Sequence, residues 1–244
     1  MEKFINSNDK KLLKKAYLIS KWLLTYSEYI LFETKFKPYK NIAYKRGDIL
    51  KINFGFRPGS ELGGVHYAVV IDKNNNHSSD TISVLPMSSV KEKKEISKKD
   101  CIIGNEFYNM IKARVDALLT KTEKEKNEIR ESIITLNGVF NSLTEDQNLE
   151  EKSEDIQNLR KMLDTLLEKN NLLDKHEEIL NRTRRELNYM KKGSIVKVGQ
   201  IVTISKIRII DPTKSEDVLK NISLSENTMK RINDKIKELY IFEE

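Results

Sequence analysis

The chain has 244 residues, with 44 Lys or Arg against 37 Asp or Glu, a formal net charge of +7. At 38% hydrophobic and 33% charged residues it holds enough apolar content for a core, but no run of about 18 apolar residues to cross a membrane, and Phe4-Ile5 is too short for the apolar part of a signal peptide. A lone cysteine, Cys101, excludes an internal disulfide and fits a reducing, cytoplasmic setting.

The first predicted element is a helix from about Asn8 to Phe36. Asn8 or Asp9 can cap it, and Leu12, Leu13, Ala16, Ile19, Leu23, Leu24, Ile30 and Leu31 recur at helical steps. Trp22, Tyr26 and Tyr29 widen its apolar face, which must pack on a sheet or on a second copy. Pro38 ends it. This stretch also concentrates charge: residues 1–50 carry 11 basic and 5 acidic side chains, or +6, so an anionic partner would draw on it.

Strands follow from Tyr44 to Met87. Asp48-Ile-Leu-Lys-Ile-Asn-Phe alternates in part, Arg57 to Gly64 is a loop by composition, and Tyr67-Ala-Val-Val-Ile reads as a strand buried on both faces. Thr81-Ile-Ser-Val-Leu-Pro is a further strand, closed by Pro86. Arg46 and Asp48 start the first strand and suggest an ion pair.

Residues 109–190 change character again. Apolar steps of three, four and seven through Ile111, Val115, Leu118, Ile129, Ile133, Leu136 and Phe140, then Ile156, Leu159, Leu163, Leu166, Leu173, Leu180 and Leu187, suit a helical seam. Gly138 or the polar stretch Thr144 to Asn148 marks the turn of an antiparallel hairpin; pairing of one long helix with another chain is the alternative. From Ser194 to Ile210 β-branched residues restore strand pattern, with Arg208 in the last strand, and Ser223 or Ser225 opens a final helix through Met229, Ile232, Ile236 and Leu239. The chain thus divides into a helical extension (1–43), a first strand region (44–108), an inserted helical arm (109–192) and a second strand region with its helix (193–244).

Four pieces of the strand regions carry a resemblance: Arg46-Gly-Asp-Ile, Gly59-Ser-Glu-Leu-Gly-Gly-Val-His-Tyr-Ala-Val-Val-Ile, Val84-Leu-Pro-Met-Ser-Ser, and Gln200-Ile-Val-Thr-Ile-Ser-Lys-Ile-Arg-Ile. In order and together, they resemble the MazF/PemK family of toxin endoribonucleases. The resemblance implies an α+β fold: a small SH3-like antiparallel barrel with a C-terminal helix, here with an inserted helical hairpin or coiled coil and an N-terminal helix. It also implies a homodimer, a cognate antitoxin protein, no membrane, and cleavage of single-stranded RNA without metal, leaving a cyclic phosphate and a 5′-hydroxyl.

That reaction needs a base for the 2′-hydroxyl, an acid for the leaving 5′-oxygen, and donors for the phosphate oxygens. The family places an arginine directly after its Gly-Gly-Val segment, and this chain has His66 there. Histidine exchanges protons near neutral pH but is a poorer fixed cation. By the same resemblance, Ser88 stands for a hydroxyl-bearing threonine as a donor to phosphate, and Glu61 positions the 2′-hydroxyl or accepts from a base edge. Arg57, Ser60, Gly63, Gly64 and Gln200 are the expected RNA-binding set, the two glycines allowing the loop to turn beside the substrate. His77 reads as a solvated loop residue, and His176, in the arm, has no partner histidine at helical spacing. No His/Cys/Asp/Glu set has metal-ligand spacing, so no metal or cofactor is expected. A non-cutting toxin on the same fold, of the gyrase-directed CcdB kind, is the alternative, as is a catalytically impaired RNA binder; fold alone does not separate them.

Overall fold

The structure is a computed structural model that describes residues 4, 8–90, 95–145 and 153–241. It falls into two compact units, one of residues 1–109 with 191–244 and one of residues 110–190.

The first unit opens with α1 (Lys10–Glu33). Asp9 caps it, its side chain accepting from the Lys11 amide at 2.7 Å, which satisfies one of the otherwise unpaired first-turn donors. Seven strands follow in the rest of the unit: β1 (Ile49–Asn53), β2 (Val65–Val70), β3 (Thr81–Ser89), β4 (Cys101–Gly104), β5 (Ser194–Val196), β6 (Val202–Ser205) and β7 (Ile209–Asp211). All pair antiparallel, in the order β4-β5-β3-β2-β1-β7, with β6 also on β3.

Among the described residues β4 and β7 do not pair, so the expected barrel is an open sheet and not a closed ring. β3 does most of the joining. One edge pairs with β2 from Val84 to Pro86 and the other with β6 from Thr81 to Val84. It does not end at Pro86, as the sequence suggested, but runs on to Ser89. Proline lacks an N–H, the ladder to β2 stops there, and from Met87 the strand pairs with β5.

The strand pattern over Ser194–Ile210 is divided among β5, β6 and the start of β7. β5 and β6 lie along the same edge of β3, but the register slips by three residues between them, and the surplus is taken up by a 3-10 turn at Val198–Gln200. A second such turn, Lys206–Arg208, separates β6 from β7 and lifts Arg208 out of the strands.

Side chains of alternate parity build the core on one face: Leu50, Ile52 and Phe54 from β1 onward, Ala68 and Val70 on β2, Ile82 and Val84 on β3, with Tyr44, Ile204 and Ile209. On the other face Ile49, Val69 and Leu85 are also buried, which is why the β2 run is apolar throughout. Two helices join the elements on this unit: α2 (Glu106–Glu145), whose first turn belongs here, and α4 (Glu226–Tyr240). Glu106 accepts from the Ser225 amide and the Thr228 hydroxyl at the α4 N-terminus. Arg46 and Asp48 do not pair with each other. Arg46 donates to the Ile71 carbonyl and to Asn233, while Asp48 accepts from the Lys45 amide and the Ser223 hydroxyl.

The second unit contains most of α2 and α3 (Ser153–Tyr189). Lys126 meets Glu177 at 2.7 Å, and His176 lies between Glu125 at 2.8 Å and Lys121 at 3.0 Å. Glu128 and Thr135 share a cleft with Lys169 and Lys161. Later residues of one helix thus face earlier residues of the other, so the two run antiparallel within one chain. His176 is thus paired across the two helices, with Glu125 and Lys121 as its partners. Gly138 lies inside α2 and is not the turn; of the other proposed turn, Thr144 and Glu145 are helical and residues 146–148 lie outside the described residues.

Candidate functional site

The residues singled out from the sequence gather at the tip of the β1–β2 hairpin, residues 54–64. The hairpin ends in a narrow backbone exchange. The Phe54 amide donates to the Gly64 carbonyl at 2.8 Å, and the Gly64 amide to the Gly55 carbonyl at 2.7 Å. A Cβ at Gly63 would sit 2.8 Å from the Gly55 oxygen, so only glycine permits this approach. Gly64 has a φ of +86°, a conformation that a side chain would strain.

Two side chains hold the loop. From the 3-10 turn between β5 and β6, Gln200 accepts from the Leu62 amide at 2.9 Å and donates to the Ser60 carbonyl at 3.2 Å. The carboxamide therefore spends both ends on the loop. Within the loop, Arg57 pairs with Glu61 at 3.5 Å and donates to the Phe54 carbonyl at 3.4 Å. Glu61 is exposed and Arg57 largely covered, so the pair itself adds little stability, well under about 1 kcal/mol.

His66 follows directly on β2, paired with Ile52 of β1. Opposed residues of an antiparallel pair face the same way, so His66 lies on the core side of the sheet, at its open end next to exposed Val65. It is half-buried. Burial lowers its pKa below the ordinary imidazole range, while hydrogen bonds with the backbone of Gly63 and Met87 pull in the opposite direction. The neutral ring is therefore favoured at neutral pH.

Ser88 is brought near by its chain neighbour. The β2 ladder ends at the Ala68–Pro86 pair and Ser88 itself pairs with Ile195 of β5, but the backbone of Met87, its neighbour in the chain, bonds His66. Among the described residues the Ser88 hydroxyl has no hydrogen-bond partner. The hairpin tip thus collects Arg57, Ser60, Glu61, Gly63, Gly64 and Gln200, and His66 adjoins it on β2, bonded to the backbone of Met87, the residue before Ser88. The remaining histidine, His77, bonds the Asn41 carbonyl in a distant turn. No group of three or more His, Cys, Asp or Glu among the described residues has the arrangement of a metal site, and no described helix is long and apolar enough to cross a membrane.

Two residues beside the loop were not expected there. Trp22 of α1 lies on Gly55, where a Cβ would stand 2.4 Å from the indole, and Gly55 has a φ of +76°. The Arg208 guanidinium lies 5.3 Å from the Trp22 ring and donates to the Asn53 carbonyl at 2.9 Å. Burial, and then the neighbouring Arg57, lower the Arg208 pKa, while Tyr29 and Tyr26 oppose this. In sequence, the only signals were a single tryptophan on an apolar helix face and an arginine in a strand-like run.

The family comparison falls on this part of the chain. Residues 45–139 match the family described as the PemK-like, MazF-like toxin of type II toxin–antitoxin systems. The match covers 95 of the chain's 244 residues. It takes in β1 to β4, the hairpin tip and His66, and it runs into α2. The helix α1, with Trp22, lies ahead of the match, and Gln200 and Arg208 lie beyond it. No curated protein matches the chain.

Proposed function

We propose that this chain is a toxin endoribonuclease that cuts single-stranded RNA without metal, by attack of a 2′-hydroxyl on the adjacent phosphorus. The observation that carries the reading is the state of His66: a half-buried, neutral-leaning imidazole at the open end of the sheet, held by the backbone of Gly63 and Met87. Members of the toxin family that residues 45–139 match are generally endoribonucleases.

His66 in its neutral form takes the 2′-hydroxyl proton and, once protonated, returns one to the leaving 5′-oxygen. Ser88 donates to a phosphate oxygen as charge develops there. Arg57 supplies the fixed positive charge that histidine lacks, once RNA draws it from Glu61. Glu61, released, orients the 2′-hydroxyl or reads a base edge. Ser60, Gly63 and Gly64 present the loop backbone to the strand, and Gln200 serves RNA by holding that loop in place. On this reading the sheet is the SH3-like scaffold of the family, working as a homodimer in the cytoplasm and neutralised by a cognate antitoxin protein.

Incubation of the full chain with single-stranded RNA in the presence of a chelator tests the reading. Expected products are a cyclic phosphate and a 5′-hydroxyl, and His66→Ala should lower the rate at least about a hundredfold. Absence of cleavage by the wild type, or an unchanged rate in His66→Ala, would sink it.

A further inference from the structure

A groove of about 470 Å³ opens between α1 and the segment that includes β6 and its following 3-10 turn. Its walls carry the rings of Tyr26, Tyr29 and Phe36, the carboxylates of Glu33 and Asp80, and the guanidinium of Arg208. Glu33 and Asp80 are exposed, and among the described residues neither carboxylate has a hydrogen-bond partner. Trp22 connects this groove to the hairpin tip. Its ring centre lies 5.8 Å from that of Tyr26 and 6.2 Å from that of Tyr29, and it also rests on Gly55.

The chemistry of the walls narrows the ligand. Aromatic faces suit a flat ring, because bases stack on them whatever their sequence. Exposed carboxylates suit an edge that donates hydrogen bonds, as an exocyclic amine does. A phosphate would meet two like charges, and a simple cation would meet Arg208 on the same wall. A neutral, planar, amine-bearing ring meets neither repulsion.

We propose that this groove binds one nucleobase with an exocyclic amine (adenine, cytosine or guanine) from the RNA strand that lies at the hairpin tip. The proposal rests on the RNA reading above and extends it to a part of the chain outside the matched toxin segment. Uracil presents carbonyl acceptors where the other bases present an amine, so the groove discriminates against it.

Trp22 is the only tryptophan in the chain, so its fluorescence reports on the groove through its ring contacts with Tyr26 and Tyr29. The probes are 2′-O-methyl oligo(A), oligo(C) and oligo(U), which offer no 2′-hydroxyl to react. Binding to the full-length chain is read twice, by anisotropy of end-labelled strands and by Trp22 emission with unlabelled ones. Oligo(A) and oligo(C) should change Trp22 emission and bind about tenfold more tightly than oligo(U), the discrimination one base contact commonly gives. Glu33→Gln, at an exposed position on the groove, should shrink that preference. Tyr29→Ala should weaken oligo(A) and oligo(C) about tenfold through lost stacking, and Tyr29→Phe should bind like the wild type. Equal binding of all three strands with unchanged Trp22 emission would overturn the groove and leave the RNA reading standing. Failure of any strand to bind the wild type would overturn the RNA reading itself. A Trp22 response to tetramethylammonium with none to the strands would mark a cation cage and overturn the proposal.

Discussion

The Gln200 side chain accepts from the Leu62 amide at 2.9 Å across the entire helical arm, 138 residues away in sequence. With its second bond, to the Ser60 carbonyl, it fixes the hairpin tip from the far side of the insertion. Gln200 reaches the tip because the three-residue register slip between β5 and β6 places it on a projecting 3-10 turn and not in a strand.

Removing that clamp should loosen the loop without unfolding the sheet. In Gln200→Ala the Leu62 amide loses its partner, a change of about 1 kcal/mol for a part-exposed bond. Hydrogen exchange at Leu62 should then rise about fivefold, and RNA cleavage should fall by a similar factor through KM more than kcat. An unchanged Leu62 exchange rate would show that the loop is held by other contacts.

The pH dependence follows from His66. Its folded pKa lies below its unfolded value of about 6.5, so the folded chain binds fewer protons there. The stability it contributes is fully present above that unfolded value and is lost as pH falls through the folded pKa. As the general base, His66 also places the acidic limb of the kcat/KM profile below about 6.5. His66→Gln should remove that limb and flatten the stability loss over the same window. A limb that persists in His66→Gln would assign the titration to another group.

Gly63→Ala tests the narrow exchange at the hairpin neck. The new Cβ would sit 2.8 Å from the Gly55 oxygen, which already accepts from Gly64 at 2.7 Å. Backbone on both sides leaves little room to adjust, and overpacking of this kind costs about 1–3 kcal/mol. Thermal unfolding should move down accordingly, and the same substitution at Gly138, which has open space around its Cβ position inside α2, should be neutral or stabilising. Equal effects at the two glycines would remove the close-approach argument.

Local patterns made much of the fold legible. Asp9 before an apolar helical period located α1, alternation located β1 and the first half of β3, and the uninterrupted Ala68-Val69-Val70 run marked a strand covered on both faces. Features set by distant partners were not legible. Pro86 looks like a stop because it lacks an N–H, yet the strand passes through it by exchanging one partner for another. The β-branched residues from Ser194 to Ile210 show strand pattern without showing where the strands divide, because β propensity carries no information about register, and the slip that frees Gln200 exists only relative to β3. The short Cys101–Gly104 strand gave no pattern long enough to read. At the site, the Gly-Gly-Val-His segment was visible in sequence, but the approach of Trp22 to Gly55 joins residues whose proximity depends on where α1 docks.

Shortening the arm tests how independent the two units are. β4 and β5 flank the insertion and are hydrogen-bonded neighbours, with Gly104 opposite Ser194 and Cys101 opposite Val196. A chain leaving one and re-entering the other has only a strand spacing of about 4.8 Å to recover at that point. Deleting residues 112–190 and joining the ends with a short flexible linker should therefore keep the sheet paired, and shortening the closed loop lowers its closure entropy cost by about 1–2 kcal/mol. The trimmed protein should unfold in one cooperative transition, and its RNA cleavage should stay within about threefold of the full chain if the arm takes no part in chemistry. A soluble, cooperatively folded product that no longer cuts RNA would assign the arm a role in substrate capture, and an unfolded product would show that the sheet depends on the helices for its stability.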